Sequence, residues 1–276
     1  MKHATRAAAA LIETAARPFA STRFARLRGL IILGYHRIDD SGGHLSVSGD
    51  HFRAHLDWIE GSGLPVVDLA SSTLPTGSEM PRVALTFDDG YQSVAEVAWP
   101  ELRSRGWPAT VYLVADYLDG SRVFPWDDSM DERARLMDKV VAAELASEGM
   151  TIGSHSSTHR YLPALSHDEA TREVRDSRHS LEDDVGGPVD TFSYPMGGWN
   201  TRLRDIVDEA GYSTAVTCER GRNLSGRDCL ALKRPIVESD PVDFVRIMKG
   251  YYDFLRPFDW WRERQRQKRG REPTPS

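Results

Sequence analysis

The sequence has few cysteines and no long apolar run, and each shortage excludes a class of protein. Two cysteines, Cys218 and Cys229, are too few for a disulfide framework in a chain of 276 residues. They have no CxxC spacing, so a structural zinc site is not expected there. No stretch approaches the roughly 20 apolar residues that a membrane-spanning helix needs. A GxGxxG motif after the first predicted strand, typical of dinucleotide-binding folds, is missing as well.

Charge is unevenly distributed along the chain. Residues 1–37 contain seven Lys and Arg and one acidic residue, and residues 262–276 contain six and two. The middle, 38–261, therefore holds 22 basic and 38 acidic residues, a net charge of −16 within an overall −6. We expect no nucleic-acid substrate, because binding to phosphates requires a basic face. The basic ends are either solvated tails or contacts with an anionic membrane surface.

The N-terminus carries basic residues and a short apolar run, as a signal peptide does. Glu13 interrupts the run Ala7–Ile12 before a sufficiently long apolar core forms. We interpret Met1–Ala20 as a weakly amphipathic helix rather than a cleaved signal. The expected location is cytoplasmic, with peripheral membrane association through the basic termini left open.

Strand and helix patterns alternate along the rest of the chain. Apolar β-rich runs predict strands at 29–36, 64–69, 83–87, 109–115, 150–154, 191–194, 212–217 and 230–237. Helical spacing predicts helices at 50–61, 93–104, 131–147, 166–185, 200–210 and 241–249. This order predicts an α/β fold with a parallel sheet, and a barrel rather than a dinucleotide fold. The irregular stretch 116–130 is expected to be a surface loop near a site.

Residues with chemical potential follow several predicted strands. His36, Asp88 with Asp89, His155, and Tyr194 with Pro195 each come at a strand end. In barrels of this kind, chemistry occurs at the carboxyl ends of the strands. The Asp pair stands in Thr86-Phe87-Asp88-Asp89-Gly90, which alone could equally be a turn or a helix cap. The same pattern at other strand ends favours a site.

Two histidines four positions apart occur in Ser154-His155-Ser156-Ser157-Thr158-His159. This spacing allows both imidazoles to bind one metal ion. With one carboxylate they would form a two-His-one-carboxylate face that leaves coordination positions open. The alternative is a pair of surface histidines among loop and cap residues, and the Asp doublet elsewhere in the chain weighs against it.

Together, these two motifs resemble the first two motifs of the polysaccharide deacetylases, the NodB-homology carbohydrate esterases. The similarity covers residues 30–240 in motif order and spacing. It implies a distorted, incomplete (β/α) barrel, with Asp88 as general base. It also implies that Asp89, His155 and His159 bind a divalent metal, Zn²⁺ in the first place, although other divalent ions would fit.

The third motif departs from the commonest pattern of the family. Phe192-Ser193-Tyr194-Pro195-Met196-Gly197 is similar to a variant found in a branch that includes exopolysaccharide and biofilm-matrix deacetylases. The arginine that usually orients the base is replaced by Ser193, and either Arg234 or Arg37 could substitute. By the same resemblance, Tyr194, Pro195 and Met196 bind substrate, with a backbone N–H near Met196 as oxyanion donor. Stacking of Trp126, Tyr194 and Trp199 on sugar rings is a further expectation.

The general acid also departs from the usual pattern. The family places a histidine late in the chain, whereas this chain has none after His179. Gly34-Tyr35-His36-Arg37 resembles the early Tyr-His-Arg of the variant branch, in which the last strand is circularly permuted to the front. First and last strands of a closed barrel are neighbours, so the permutation would keep the histidine in place. We therefore expect His36 to be the general acid.

The resemblance implies a metal-dependent N-deacetylase acting on an amino-sugar-containing oligosaccharide, polysaccharide or glycoconjugate. Asp88 would take a proton from water held at the metal, and His36 would protonate the leaving amine. The implied organisation is a basic leader or helix at 1–28, a catalytic domain at 29–250 and a basic tail at 251–276.

The sequence is also compatible with three other interpretations. One is a related C–N hydrolase on the same scaffold, although such enzymes alter the metal motif. Another is a non-catalytic sugar-binding homologue, supported by the missing arginine and the missing late histidine. The third is a two-His-one-carboxylate iron oxygenase, whose usual double-stranded β-helix disagrees with the alternating strands and helices.

Overall fold

The computed structural model describes residues 28–43, 45–69, 81–127, 134–238 and 240–255, together with Trp261 and Gln265. The expected leader at 1–28 lies outside these residues except for Arg28, and so does most of the expected tail at 251–276. No helix among the described residues combines the length and the apolar character needed to cross a bilayer.

A curled sheet of six parallel strands forms the centre of the fold, as the alternating pattern predicted. The strands of the described part of the chain are β1 (Leu30–Tyr35), β2 (Arg37–Ile38), β3 (Ser46–Val47), β4 (Arg82–Phe87), β5 (Thr110–Leu113), β6 (Thr151–Ser154), β7 (Thr191–Ser193) and β8 (Thr214–Val216). The order of the sheet is β1-β4-β5-β6-β7-β8, and β2 and β3 form a separate parallel pair. The predicted incomplete α/β barrel is confirmed.

The barrel is incomplete where the last strand was predicted. Residues 230–237 do run between β8 and β1, but they make single bridges, Leu232 with Val216 and Ile236 with Gly34. The backbone N–H of Gly34 donates to the carbonyl of Pro235 at 3.0 Å. Pro235 has no N–H to return, which prevents a regular ladder at this position. First and last segments are nevertheless neighbours, as the argument for His36 required.

The predicted strand at 64–69 is also reduced to one bridge. Val66 pairs with Val83, and the N–H of Val67 donates to the carbonyl of Val83 at 2.9 Å. Pro65 supplies a carbonyl to Val83 but no donor of its own. This segment therefore contacts only the start of β4, before the residues that pair with β5, and does not form a strand of the sheet.

Six α-helices with bounds inside the described ranges surround the sheet: α1 (Gly49–Ser62), α2 (Trp99–Ser104), α3 (Lys139–Ser147), α4 (His167–Val185), α5 (Thr201–Glu209) and α6 (Pro241–Met248). The predicted helix at 93–104 is split, because a π-helix at Val94–Ala98 precedes α2. Pro100 lacks the N–H that an α-helix would donate four residues back. The helix predicted at 131–147 begins only at Lys139, capped by the Asp138 carboxylate.

The two faces of the sheet have different surroundings. Ile31, Leu33 and Tyr35 belong to the large core between the sheet and the helices. Alternate residues of the strands form a smaller cluster on the inner face: Leu30, Ile32, Ala84, Tyr112 and Val216, with Leu232. This period of two is the ordinary consequence of strand geometry. This apolar cluster fills the inner face of the sheet, whereas polar residues follow the carboxyl ends of the strands.

Candidate active site

The predicted site residues meet at the carboxyl edge of the sheet. His36 follows β1, Asp88 and Asp89 follow β4, and His155 follows β6. His159 lies one turn further along the same loop and is 9 % exposed, while both aspartates and His155 are less exposed still. The order of parallel strands thus brings together residues that are more than 100 positions apart in sequence.

Asp89, His155 and His159 form the cluster that the sequence predicted as a metal site. One ligand atom from each lies within 4.8 Å of the others. The Asp89 Oδ1 atom is 3.6 Å from His155 Nε2 and 3.4 Å from His159 Nε2. Asp89 Oδ1 is buried and has no hydrogen-bond partner among the described residues. A buried carboxylate oxygen without a donor is costly, and a cation at this point would compensate it.

The loop that carries Asp89 and the loop that carries His155 and His159 both contain residues in the left-handed region. Asp89 has a φ of 71°, Ser156 of 66° and His159 of 60°. Non-glycine residues rarely adopt this conformation, and each such residue costs on the order of 1 kcal/mol or more. Gly90 continues the turn with a φ of 74°, and a Cβ there would lie 2.9 Å from the Leu113 side chain. The surrounding structure therefore holds these loops in a conformation that they would not adopt alone.

Hydrogen bonding orients the His155 ring. Its Nδ1 donates to the backbone carbonyl of Ser193 at 2.7 Å. Because a carbonyl can only accept, the proton must be on Nδ1, and Nε2 is left with a lone pair toward Asp89. Burial lowers the pKa of His155, and burial together with the nearby His155 lowers the pKa of His159 well below its usual value. Neutral imidazoles of this kind are the form that binds metals.

Arg234 holds the other carboxylate of the doublet. Its two terminal nitrogens donate to the two oxygens of Asp88, each at 2.6 Å. The same guanidinium reaches Ser193 Oγ at 2.9 Å. Ser193 is the position at which the usual family arginine is missing, so Arg234 supplies the guanidinium from a different segment. This geometry decides between the two arginines that the sequence left open.

The surroundings move the pKa values of Asp88 and Asp89 in opposite directions. Burial alone would raise the pKa of Asp88, but the charge of Arg234, with His155 and the hydrogen bonds, lowers it below its usual range. For Asp89, burial and the negative charges of Asp88 and Asp127 raise the pKa well above its usual value. Asp88 is therefore held in its ionised form, whereas a nearby cation would be needed to stabilise Asp89 as a carboxylate.

His36 and Arg37 point to different partners. His36 Nε2 lies 3.9 Å from Asp88 Oδ2, on the open side of the site. Arg37 instead pairs with Asp39 at 2.8 Å and with Asp127 at 3.3 Å. The expectation that Arg37 could orient Asp88 is therefore not supported, while His36 lies beside Asp88.

Tyr194 fixes the position of the loop formed by the third motif. The Tyr194 ring is fully buried, and its hydroxyl donates to the carbonyl of Leu230 at 2.9 Å. This burial contradicts the expected stacking of Tyr194 on a sugar ring, because the ring anchors the loop from below. Met196 is half-buried with a left-handed φ of 55°. Contacts of Pro195, Met196 and the Tyr194 backbone with substrate stay predictions.

An aromatic wall borders His159 of the candidate metal centre on the side of the irregular loop. The Trp126 ring centroid lies 5.0 Å from that of His159, and Phe124 stacks on Trp126 at 4.5 Å. Asp127 accepts hydrogen bonds from the Tyr91 hydroxyl at 2.8 Å and from Arg37. The sequence predicted a loop near a site here but missed Phe124 and Asp127. Their neighbour Trp126 was the only signal.

The fold and the side chains together define an incomplete α/β barrel with a candidate metal centre at the carboxyl edge of its sheet. Residues 77–215 match the polysaccharide deacetylase family, which is half of the chain. The chain therefore belongs to the polysaccharide deacetylases, which are hydrolases acting on N-acetyl groups. This match begins after His36 and does not bear on the role of that residue.

Individual relatives agree with the family. The chain is 28 % identical over 209 residues to YxkH of Bacillus subtilis, whose name places it among the polysaccharide deacetylases, and the match covers 74 % of this chain and 70 % of YxkH. It is 30 % identical over 98 residues to the poly-β-1,6-N-acetyl-D-glucosamine N-deacetylase of Escherichia coli. That second match covers 33 % of this chain and only 15 % of the relative.

Solved structures share the fold at low sequence identity. The Streptococcus pyogenes deacetylase PplD, in complex with acetate, superposes with a TM-score of 0.67 at 23 % identity, covering 80 % of this chain and 98 % of PplD. IcaB from Ammonifex degensii also has a TM-score of 0.67 at 23 % identity, with 81 % and 97 % covered. At this identity the likeness concerns the fold alone.

Proposed function

We propose that the protein is a metal-dependent N-deacetylase that removes acetyl groups from an amino-sugar-containing oligosaccharide, polysaccharide or glycoconjugate. One observation carries this proposal: the two adjacent carboxylates contact different partners. Asp88 forms a two-point ion pair with Arg234, while Asp89 faces His155 and His159. This separation supplies both parts that metal-assisted hydrolysis of an amide uses, a ligand for the metal and a general base for the water.

Asp89, His155 and His159 would hold the metal. Their side chains fit it, because the imidazoles are neutral and the Asp89 Oδ1 has no other partner among the described residues. Two imidazoles and one carboxylate suit Zn²⁺, which leaves room for water and substrate. When bound, such an ion lowers the pKa of its water from about 15.7 toward about 7 and polarises a carbonyl.

The remaining roles fall to side chains of the chain itself. Asp88, kept ionised by Arg234, accepts the proton of the attacking water. His36, beside Asp88 and partly open to solvent, donates a proton to the leaving nitrogen. The backbone N–H at Met196 donates to the developing oxyanion, which is a role suited to a strained turn. Proton transfer of this kind contributes roughly 10²- to 10⁴-fold in rate.

Acetate release tests the proposal. N-acetylated oligosaccharides of several linkages are incubated with the protein, with a chelator and with chelator followed by Zn²⁺. We expect release that the chelator stops and Zn²⁺ restores. No release from any substrate by metal-loaded protein would instead favour a sugar-binding homologue. Ring opening of a cyclic amide, assayed in parallel, without acetate release from any saccharide would favour another C–N hydrolase.

Substitutions separate the two aspartates. Asp89→Ala and His159→Ala are expected to lose bound metal and activity together. Asp88→Asn is expected to keep the metal while kcat falls by about 10²- to 10⁴-fold. Metal content by elemental analysis and kcat are measured on the same samples. Full activity in Asp88→Asn would contradict its role as base.

The finer identity of the substrate and the location in the cell stay proposals. An assembled exopolysaccharide is suggested by the Escherichia coli relative, whose name specifies poly-β-1,6-N-acetyl-D-glucosamine. A cytoplasmic location would favour a soluble or lipid-linked saccharide instead. Contact of the basic termini with a membrane surface is a separate proposal that nothing in the described residues supports.

A further inference from the structure

Both histidines of the candidate metal centre stand in one short loop after β6. Residues 155–159 connect them, and Ser156 and His159 both have positive φ. The N–H of His159 donates to Ser156 Oγ at 3.0 Å, which closes the turn locally. The N–H of Ser156 also donates to Ser154 Oγ at 3.2 Å, but local hydrogen bonds of this kind do not by themselves offset the strain of two left-handed residues. The loop therefore needs an external anchor.

Glu173, on the second turn of α4, contacts the middle of this loop. One carboxylate oxygen accepts the backbone N–H of Thr158 at 2.9 Å, and the other accepts the Thr158 hydroxyl at 2.5 Å. The backbone carbonyl of Glu173 also accepts the N–H of Ser157 at 3.2 Å. A single helical residue thus binds two consecutive loop residues between the two histidines.

The anchor is built into the protein interior. Glu173 is only 8 % exposed, although glutamate is seldom buried without partners. Both of its carboxylate oxygens are used on one residue, Thr158, and neither imidazole is touched. On the other side, the N–H groups of Ala115 and Asp116 donate to the carbonyls of Ser156 and Ser157 at 3.1 and 3.0 Å. The loop is held from two directions, and only the Glu173 side uses a charged group.

We propose that Glu173 is a positioning residue that sets metal affinity through Thr158, by fixing the loop that presents His155 and His159. This inference rests on the proposed metal-dependent function. Groups that orient metal ligands without touching the ion typically change metal affinity by about 10- to 100-fold when they are removed. Glu173 contacts Thr158 and Ser157 of the loop rather than an imidazole. We therefore expect the loss of its side chain to weaken metal binding while the protein remains folded.

Zinc affinity of Glu173 variants tests this role. The dissociation constant is measured for the full chain by competition with a chromogenic chelator. We expect Glu173→Ala to raise it about 10- to 100-fold. Glu173→Gln is expected to be intermediate, because an amide oxygen can still accept the Thr158 N–H. An unchanged constant in Glu173→Ala, within about twofold, would overturn the inference.

Glu182 offers a matched control on the same helix. It accepts the N–H of Val189 at 3.3 Å and pairs with Arg178, so it also anchors a loop, but one without metal ligands. We expect Glu182→Gln to leave the zinc constant unchanged. An equal loss of affinity in Glu182→Gln would show a general effect of α4 and would also overturn the inference.

A second pair of variants covers the case in which Glu173→Ala does not fold. Thr158→Ser keeps the hydroxyl and is expected to bind zinc as the wild type does, while Thr158→Val is expected to bind more weakly. Equal affinity of the two would contradict the role of the hydroxyl contact. Absence of zinc binding by the wild type would instead contradict the proposed function itself, so the two failures are distinguishable.

Discussion

The carboxylates of Asp88 and Asp89 are separated by one peptide unit, and each faces a different set of charges. Burial would raise the pKa of Asp88, but the charge of Arg234 keeps this carboxylate ionised, whereas burial and neighbouring acids raise the pKa of Asp89, whose charge a cation would stabilise. Adjacent residues leaving a strand point in different directions, which makes this division possible. At the scale of the residue, the partner of each carboxylate determines its role.

Arg234→Lys tests the role of the guanidinium. A lysine keeps the charge but lacks the planar fork that donates to both oxygens of Asp88, so the Asp88 carboxylate, the proposed base, loses its fixed orientation. We expect kcat to fall by up to about 100-fold, because small displacements of reacting groups can reduce a rate by this factor. The metal content should not change. Steady-state kinetics and elemental analysis provide the measurement.

Arg37→Lys is the control for that substitution. Arg37 pairs with Asp39 and Asp127 rather than with Asp88, so we expect a much smaller change in kcat. A larger loss in Arg37→Lys than in Arg234→Lys would mean that the orienting arginine has been misassigned.

At the scale of the element, α1 and α6 pack together through a buried histidine. His55 of α1 stacks on Phe244 of α6 with ring centroids 4.1 Å apart. Its Nδ1 lies 3.4 Å from the Tyr35 hydroxyl, which connects the helix pair to β1. Burial, and to a lesser extent His51, lower the pKa of His55 to about 4. The helix contact is therefore built around a neutral imidazole.

This contact predicts a loss of stability in mild acid. The unfolded chain binds the proton near pH 6.5 and the folded chain only near pH 4, so stability is complete above pH 6.5 and falls as the pH decreases toward 4. The contribution of His55 between pH 7.5 and 4.5 is on the order of 2 to 3 kcal/mol. Urea unfolding at both pH values measures it.

Two variants identify the source of that pH dependence. His55→Gln should show a smaller decrease between the two pH values than the wild type. His179→Gln removes an exposed histidine of α4 and should leave the decrease unchanged. The same decrease in all three proteins would assign it to other groups.

At the scale of the whole molecule, one buried side chain joins the beginning of the barrel to its end. Asn223 donates to the carbonyl of Lys233 and accepts the N–H of Lys233, both at 2.8 Å. Its own backbone N–H donates to the carbonyl of Leu30 at 2.8 Å, and its carbonyl accepts the N–H of Leu30 at 2.9 Å. Asn223 therefore links β1, which precedes His36, to the segment that carries Arg234.

Asn223→Ala tests this closure. Removal of the amide leaves the Lys233 N–H and carbonyl without these partners in a buried position, so we expect the free energy of unfolding to fall by about 2 to 4 kcal/mol. Denaturant unfolding measures the change. Leu224→Ala, at the exposed next residue, should change stability by no more than about 0.5 kcal/mol. Similar effects of the two substitutions would argue against a closing role for Asn223.

Sequence patterns located most of the helices and the strands of the sheet, because periodicity and caps are local properties. They failed where proline interrupts a pattern: Pro100 splits a predicted helix, and Pro65 and Pro235 reduce predicted strands to single bridges. These segments are apolar enough to be buried, but apolar content does not show whether each residue has a backbone N–H to donate, and proline has none.

The sequence by itself determined the doublet Asp88-Asp89, the spacing of His155 and His159, and their positions at strand ends. Short motifs retain these features whatever the rest of the chain does. Only the tertiary structure decided that Arg234 rather than Arg37 holds Asp88, that Tyr194 is buried, and that Glu173 anchors the histidine loop. Each of these depends on contacts between segments distant in sequence, and a local pattern has no information about which distant side chain fills a given space.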